Sequence, residues 1–269
     1  MHVLADNRTR KRGMLAEHGL SLMIEHEDGC ILFDTGQSDV YVKNAKQMGL
    51  TLSRVSRIVL SHGHYDHCGG LPFFPAVHPF PKVFVHEAAF SKKLAANKDG
   101  TFREIGIPWS QAFLERVKDS IVKTSEAKSL FPGAAVCPNI VGGVKPGREF
   151  FIDNGESLVP DVMTDEQMIV IERFNELCVF LGCSHPGIIA CLRHAQKCFP
   201  GKRIGVLVAG MHLDGAEEYV IQDTIQKLKE LDIQTVIPLH CTGIDAICQI
   251  KRAWGLNCHT LSAGDSISI

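Results

Sequence analysis

The stretch "VLSHGHYDHCGGL", residues 59–71, constrains the fold of this chain more than any other. Directly after an apolar run it places three histidines and an aspartate within six residues: His62, His64, Asp66 and His67. Imidazole nitrogens and carboxylate oxygens are ligands of zinc, iron and manganese, and a loop that follows a strand can gather several of them at one point. A polar loop that is rich in histidine by chance is the alternative, and the crowding of these residues argues against it. The sequence therefore predicts a metal site.

Several other apolar runs also end in a polar or metal-binding residue. The runs are "ILFDTG", "FLGCSH", "LVAGMH" and "IPLHCTG", and they supply Asp34, Cys183, His185, His212 and His240. The ends of strands along one edge of a sheet are where a rigid scaffold presents side chains to a site. The repeated pattern therefore predicts one composite site.

Short apolar runs rich in β-forming residues alternate with helical patterns along the chain. Runs such as "LSLMIEH" and "QMIVIERF" read as strands, and "EEYVIQDTIQKLKEL" reads as an amphipathic helix. Some predicted strands are connected by hairpins, and others are separated by helices. This mixture favours an α/β sandwich with mixed sheets over a doubly wound parallel sheet. We expect one domain over residues 1–269, with the less periodic segment 91–147 as an insertion near the active site.

Charge and composition narrow the classes of partner. The formal net charge is -2, and the only dense basic run is "RTRKR", so no nucleic-acid partner is expected. No apolar run has the roughly 18 residues of a membrane span, and the N-terminus lacks the apolar centre of a signal peptide, so we expect a cytoplasmic protein without a membrane partner. The ten cysteines include no C-x-x-C pair and are expected to be mostly reduced and buried.

The motif "SHGHYDHCGGL" resembles the H-x-H-x-D-H signature of the metallo-β-lactamase fold, a four-layered αββα sandwich with a one- or two-metal site. With "ILFDTGQS", "LGCSHPGI", "AGMHL" and "IPLHCTG", the chain resembles the 7,8-dihydropterin-6-yl-methyl-4-(β-D-ribofuranosyl)aminobenzene-5'-phosphate synthase-like branch. The similarity covers nearly the whole chain and is weakest in segment 91–147. The fold is therefore specified closely, whereas the substrate is not, because one fold hosts many reactions.

The resemblance also implies a set of metal ligands. It makes His62 and His64 ligands of one ion, and Asp66 and His67 ligands of a second ion. His240, at the end of "TVIPLH", matches the final histidine of the fold and completes the shell of the second ion.

The middle of the ligand set departs from the family pattern. Many members have a histidine before the strand that delivers a bridging aspartate, but "SLVPDVMTDEQ" contains no histidine. The strand "VFLGCSH" ends in Cys183 where that aspartate would often lie. We expect His185 to supply the missing nitrogen ligand, whereas Cys183 either bridges the ions or only packs in the core.

The remaining candidates are not assigned as metal ligands. Asp34 resembles the buried aspartate that orients the histidine loop, and His18 in "AEHGLS" is expected to fix a loop or a ligand. His212 either contacts substrate as a general acid or is a hydrogen-bonded structural histidine. Lys145 and Arg148 either meet a substrate phosphate or, as we favour, lie in a solvated loop.

These residues together predict a metal-dependent hydrolase or a related transfer enzyme. One or two divalent ions, zinc first and manganese or iron as alternatives, would activate a hydroxide that attacks a small, phosphorylated or pterin-like substrate, with Asp66 and His212 as catalytic residues. The synthase-like branch instead implies attack on a phosphoribosyl-type centre with loss of pyrophosphate. The oligomeric state is left open, a homodimer included.

Three alternatives have weaker support. A catalytically silent metal-binding or ligand-sensing protein would keep the same site, although the full ligand set argues for catalysis. Di-iron redox enzymes of this fold usually carry Glu where this chain has His64, and the chain shows no fused flavodoxin-like domain. A nuclease would be expected to have a basic docking surface.

Overall fold

The computed structural model describes residues 1–142 and 150–269, which form two six-stranded sheets and a smaller four-stranded sheet. The described strands are His2–Ala5 (β1), Ser21–His26 (β2), Gly29–Phe33 (β3), Val55–Val59 (β4), Lys82–His86 (β5), Lys92–Ala96 (β6), Phe102–Glu104 (β7), Ile121–Thr124 (β8), Lys128–Phe131 (β9), Ala134–Cys137 (β10), Phe150–Asp153 (β11), Leu158–Pro160 (β12), Met168–Arg173 (β13), Glu176–Leu181 (β14), Arg203–Ala209 (β15) and Thr235–Pro238 (β16). The described α-helices are Val40–Gln47 (α1), Tyr65–Cys68 (α2), Gln111–Val117 (α3), Ile188–Cys198 (α4), Glu218–Glu230 (α5) and Ile244–Trp254 (α6).

The two large sheets are mixed. The first has the strand order β1-β2-β3-β4-β5-β8 and the second β16-β15-β14-β13-β10-β9. In each sheet a hairpin-connected antiparallel part continues into parallel strands: β3 pairs in parallel with β4, and β14 with β15. The parallel strands follow helical crossovers, which matches the alternation of strand and helix patterns in the sequence.

Apolar side chains divide into three layers of core. In β2, Leu22 and Ile24 point into the space between the two sheets, whereas Met23 packs on the outer face against α1 and α3. This alternation follows from the two-residue period of a strand. The outer face of the second sheet is covered by α4, α5 and α6. The predicted four-layered αββα sandwich is therefore confirmed.

The parallel register sets which residues leave the sheets together. Phe33 lies beside Val59, so the residues after β3 and β4 emerge at one edge of the first sheet. In the second sheet Leu181, Ala209 and Pro238 lie side by side at the ends of β14, β15 and β16. The segments that follow these strands carry the residues singled out in the sequence.

Segment 91–147 contributes strands to all three sheets. The small sheet has the order β12-β11-β6-β7, while β8 is an edge strand of the first large sheet and β9 and β10 belong to the second. The description of this segment as an insertion stays a prediction. Lys145 and Arg148 lie outside the described residues.

Two further observations bear on the predictions from composition. All ten cysteines are free, and eight of them are buried. Among the helices of the described residues, none is long and apolar enough to cross a membrane.

Candidate metal centre

The histidine loop follows β4 and leads into the short helix α2. His62, His64, Asp66 and His67 are all buried. The loop passes so close to a neighbouring segment that a Cβ at Gly63 would lie 2.3 Å from the backbone oxygen of Ala89. Gly63 is therefore required by the close approach of the two backbones, and the motif can turn only because this position has no side chain.

A first group of nitrogen donors consists of His62, His64 and His185. The Nε2 atom of His62 lies 3.0 Å from Nδ1 of His64, and the ring of His185 lies 4.9 Å and 5.0 Å from the rings of His62 and His64. Burial lowers the pKa of His64 to about 3 and lowers the pKa of the other two rings as well. All three imidazoles are therefore neutral at physiological pH, with lone pairs available to a cation.

An unpartnered atom shows that this group fits an ion. The Nε2 atom of His185 is buried and has no hydrogen-bond partner among the described residues. A buried polar atom without a partner is costly, and a metal ion would satisfy it. Two nitrogens bound to one tetrahedral zinc are about 3.3 Å apart, given Zn–N bonds of roughly 2.0–2.1 Å. The 3.0 Å separation between His62 and His64 is close to that edge length.

A second group consists of Asp66, His67 and His240. The two Nε2 atoms of His67 and His240 are 3.2 Å apart, and Oδ2 of Asp66 lies 3.6 Å and 3.5 Å from them. Burial alone would lower the pKa of His67, but the carboxylates of Asp34 and Asp66 raise it to about 9. The pocket thus favours positive charge at Nε2 of His67, which an ion can supply in place of the proton.

Cys183 lies between the two groups. Its sulfur is 3.2 Å from Nε2 of His67. It falls within 4.8 Å of donor atoms in both sets, that of His62 and His185 and that of His67 and His240. The bridging role of Cys183, which the sequence left undecided, stays a prediction.

Asp34 holds the histidine loop in position. Its Oδ2 atom lies 2.6 Å from Nδ1 of His67 and accepts a hydrogen bond from the Ser61 hydroxyl at 2.7 Å. The backbone N–H of Ser61 donates to the other carboxylate oxygen at 2.6 Å. A carboxylate on Nδ1 leaves Nε2 of the ring directed at the metal position, the arrangement usual for metal-binding histidines. Asp34 is thus in contact with the histidine loop, and its role in orienting a metal ligand stays a prediction.

Two residues that the sequence analysis did not single out position His240. The amide oxygen of Asn7 lies 2.7 Å from Nδ1 of His240, and the carboxylate of Asp6 accepts its backbone N–H at 2.8 Å. Both follow β1 in "LADN", so the pattern of polar residues at strand ends would have indicated them. His18 lies next to them, with Nε2 3.2 Å from Oδ2 of Asp66, and this hydrogen bond raises the pKa of His18.

Two acidic residues of "TDEQ" also support the site. Asp165 accepts the backbone N–H of Gly63 at 2.8 Å. Glu166 accepts the backbone N–H groups of Ser184 at 3.1 Å and of His185 at 3.4 Å, and its burial raises its pKa to about 8. This stretch contains no histidine, and its adjacent acidic pair in an apolar context was the available signal in the sequence.

A cavity of about 100 Å³ opens over the two groups. Beside the candidate ligands, its lining includes Tyr65, Arg103, Phe150 and His212. The ring of His212 lies 4.7 Å from that of His185, so the structure brings His212 to the site. A larger cavity of about 590 Å³, lined by residues such as Glu25 and Arg173, contains none of the candidate ligands in its lining and is not connected with this chemistry.

Comparisons with known proteins agree with this fold. The family model of the metallo-beta-lactamase superfamily matches residues 15–158. Two proteins of Methanocaldococcus jannaschii are each 29% identical: an uncharacterised protein, over 93% of both chains, and 7,8-dihydropterin-6-methyl-4-(beta-D-ribofuranosyl)-aminobenzene-5'-phosphate synthase, over 94% of this chain and 90% of its own. A crystal structure of a metal-dependent hydrolase of the beta-lactamase superfamily has a TM-score of 0.84, 29% identity, and covers 100% of this chain and 98% of its own.

Proposed function

The chain belongs to the metallo-beta-lactamase superfamily, and on this premise we propose that it is a metal-dependent hydrolase, or a closely related transfer enzyme, with two divalent ions. One observation carries the proposal: two pairs of ring nitrogens, 3.0 Å and 3.2 Å apart, lie on either side of one buried sulfur. An ion would also satisfy the buried Nε2 atom of His185, which has no hydrogen-bond partner among the described residues.

The donors divide into two shells. From these distances, His62, His64 and His185 would hold one ion, and Asp66, His67 and His240 the other. Cys183, which lies within reach of donors in both sets, would be shared between them. Nitrogen, carboxylate and sulfur donors in this number suit zinc best, and manganese or iron are the alternatives. When bound, the ions would supply a water nucleophile at neutral pH and offset the negative charge that develops on the substrate.

The residues of the chain provide the remaining functions. Asp66 stays ionised because, although burial opposes its charge, His67, His18 and His240 lower its pKa. It can therefore act as a ligand and as an acceptor for the proton of an incoming water. His212, exposed at the rim of the cavity, would donate a proton to the leaving group.

The rim also indicates the substrate. Arg103 is the only Lys or Arg in the described lining of the cavity, and it forms no ion pair with any described residue. A guanidinium at a cavity mouth favours an anionic group such as a phosphate. The cavity, at about 100 Å³, is smaller than the roughly 300–1,000 Å³ of sites that enclose a whole ligand. We infer that only the reacting group enters, while the rest of a small anionic substrate lies against Arg103 and Phe150.

An assay series tests the proposal. The metal-stripped protein is reloaded with zinc, manganese or ferrous iron and offered phosphodiesters, phosphomonoesters and esters. Turnover is expected only after an ion is restored and is expected to disappear in the His185→Ala variant. Absence of turnover with every ion and every substrate class would refute hydrolysis and favour the alternative of a catalytically silent metal-binding or ligand-sensing protein.

The synthase relative supports a second candidate. Its name describes a synthase of a phosphorylated ribofuranosyl compound, and it matches this chain at 29% identity over 94% of its length. The same ions would then stabilise a pyrophosphate leaving group on a phosphoribosyl-type substrate. Release of pyrophosphate from such a substrate, without hydrolysis of esters, would separate this reaction from the first.

A further inference from the structure

Beside the two groups lies a third cluster of donors, formed by Cys183, His212 and Cys241. One donor atom of each lies within 4.8 Å of those of the other two. The two cysteines are buried and His212 is exposed. Only Cys183 is common to this cluster and to the histidine groups described above. Cys241 has no role in either of those groups.

The parallel strands of the second sheet create this cluster. Its members follow the neighbouring ends of β14, β15 and β16, where Gly210 donates its N–H to the oxygen of Gly182 at 2.9 Å. A Cβ at Gly210 would lie 2.8 Å from the sulfur of Cys241, so the glycine leaves the space that this sulfur occupies. The cluster is thus built into the edge of the sheet.

The backbone also connects two members of the cluster. The N–H of His212 donates to the sulfur of Cys241 at 3.3 Å. His212 adopts a left-handed backbone conformation, with φ of 50°, which a residue other than glycine rarely does and which tends to occur at functional sites. Both sulfurs and His212 also line the cavity over the site, which gives an ion a route from solvent.

We propose that Cys183, His212 and Cys241 form an additional binding position for a thiophilic cation, such as Cd²⁺ or excess Zn²⁺. Two sulfurs and one imidazole nitrogen are a donor set that holds zinc with one ligand position left open, and sulfur donors favour soft ions over manganese. The histidine groups, with mainly nitrogen and oxygen donors, do not share this preference.

Occupation of this position has a consequence for the rest of the site. An ion bound there takes Cys183 away from the two histidine groups and takes the imidazole of His212 away from the rim. Thiophilic ions in excess are therefore expected to inhibit, whichever reaction the protein catalyses. The binding itself does not depend on the proposed hydrolysis.

Cadmium titration of the full-length protein tests the proposal. The readouts are the ultraviolet thiolate-to-cadmium absorption and the bound Cd²⁺ measured by equilibrium dialysis, and neither needs a substrate. Cys241→Ser should lose about half of the thiolate-to-cadmium absorption, because one of two sulfur donors is removed. The same variant should also bind one equivalent of Cd²⁺ less. Cys258→Ser is the matched control, since Cys258 is also buried but lies outside the cluster; it should behave as the unaltered protein.

A second variant guards against misfolding. His212→Ala changes an exposed side chain and should remove the same equivalent of Cd²⁺ while keeping the sulfur absorption of Cys183. If Cys241→Ser and His212→Ala both bind Cd²⁺ as the unaltered protein does, with the same absorption, the position does not exist. The Cd²⁺ titration does not depend on the outcome of the hydrolase assays. The proposed cation position and the proposed hydrolase function can therefore be refuted independently.

Discussion

Replacement of Lys93 by methionine should destabilise the fold and loosen the histidine loop. Lys93 is 1% exposed and lies on β6, with its Nζ atom 2.5 Å from Oδ2 of Asp161 and 2.9 Å from Oδ1 of Asp165. The other oxygen of Asp165 accepts the N–H of Gly63. The small sheet is thereby connected through one buried cation to the loop that carries His62 and His64.

The magnitude follows from the charges left behind. Methionine has nearly the length of lysine but no charge, so two buried carboxylates would remain without their cation. Breaking a buried pair by removing one partner costs about 3–5 kcal/mol. Protonation limits the cost: neutralising one aspartate with an ordinary pKa near 3.9 at pH 7 takes about 4 kcal/mol, at 1.36 kcal/mol per pH unit. We therefore expect a loss of about 4 kcal/mol in the free energy of unfolding at pH 7.

The pH dependence of this loss identifies its cause. In the unaltered protein burial disfavours the charge of Asp165, but the cation of Lys93 outweighs this effect and lowers the pKa of Asp165, which stays ionised from pH 7 to pH 5. The folded variant instead binds a proton that its unfolded state lacks above about pH 4. Stability of the variant should therefore rise relative to the unaltered protein by about 1.4 kcal/mol for each unit that pH falls. At pH 5 the deficit should be about 3 kcal/mol smaller than at pH 7.

Urea denaturation at pH 7, 6 and 5, with a chelator present, measures these differences. Lys92→Met is the matched control, because the neighbouring Lys92 forms an ion pair with Asp153 at 2.8 Å on the exposed side of the same strand. Exposed ion pairs contribute little, so this variant should unfold as the unaltered protein does at every pH. A Lys93→Met deficit that stays constant between pH 7 and pH 5 would refute the electrostatic argument and point to packing alone.

Three further changes probe the site itself. His185→Ala should reduce bound metal by one equivalent in elemental analysis. His194 is half-exposed and lies outside the donor groups, so His194→Ala should not change the bound metal. An equal loss of metal from both variants would exclude His185 as a ligand. Asn7→Leu removes the oxygen 2.7 Å from Nδ1 of His240 and should weaken metal affinity about 10–100-fold in competition with a chelating dye, the usual effect of losing such a partner; an unchanged affinity would contradict the orienting role. Arg103→Ala should raise KM for an anionic substrate about tenfold or more, because a hydrogen bond to a charged group contributes about 1.5–3 kcal/mol, and should leave KM for an uncharged ester unchanged. Arg103→Lys should recover part of the loss. An equal rise in KM for both substrates would argue against anion recognition.

The sequence alone determined the local part of this protein. The crowding of His62, His64, Asp66 and His67 indicates metal binding because six adjacent residues must lie close together in any fold. Apolar runs such as that of β2 indicated strands, and the resemblance built on these motifs predicted the sandwich. The pattern of polar residues directly after apolar runs also identified His185 and His240, because the end of a strand can be recognised from neighbouring residues in the sequence.

The tertiary structure decided what depends on strand order. Cys183 lies 116 residues from His67 along the chain, and Asn7 lies 233 residues from His240, yet each pair is in contact. Nothing in the local pattern states which strand ends are neighbours. The parallel register of β14, β15 and β16 is what brings Cys183, His212 and Cys241 together, and the hydrogen bonds of Asp165 join a third sheet to the histidine loop. The sequence shows which polar or metal-binding side chain follows each strand. The pairing of strands, through backbone hydrogen bonds and a shared core, decides which of these side chains lie next to one another.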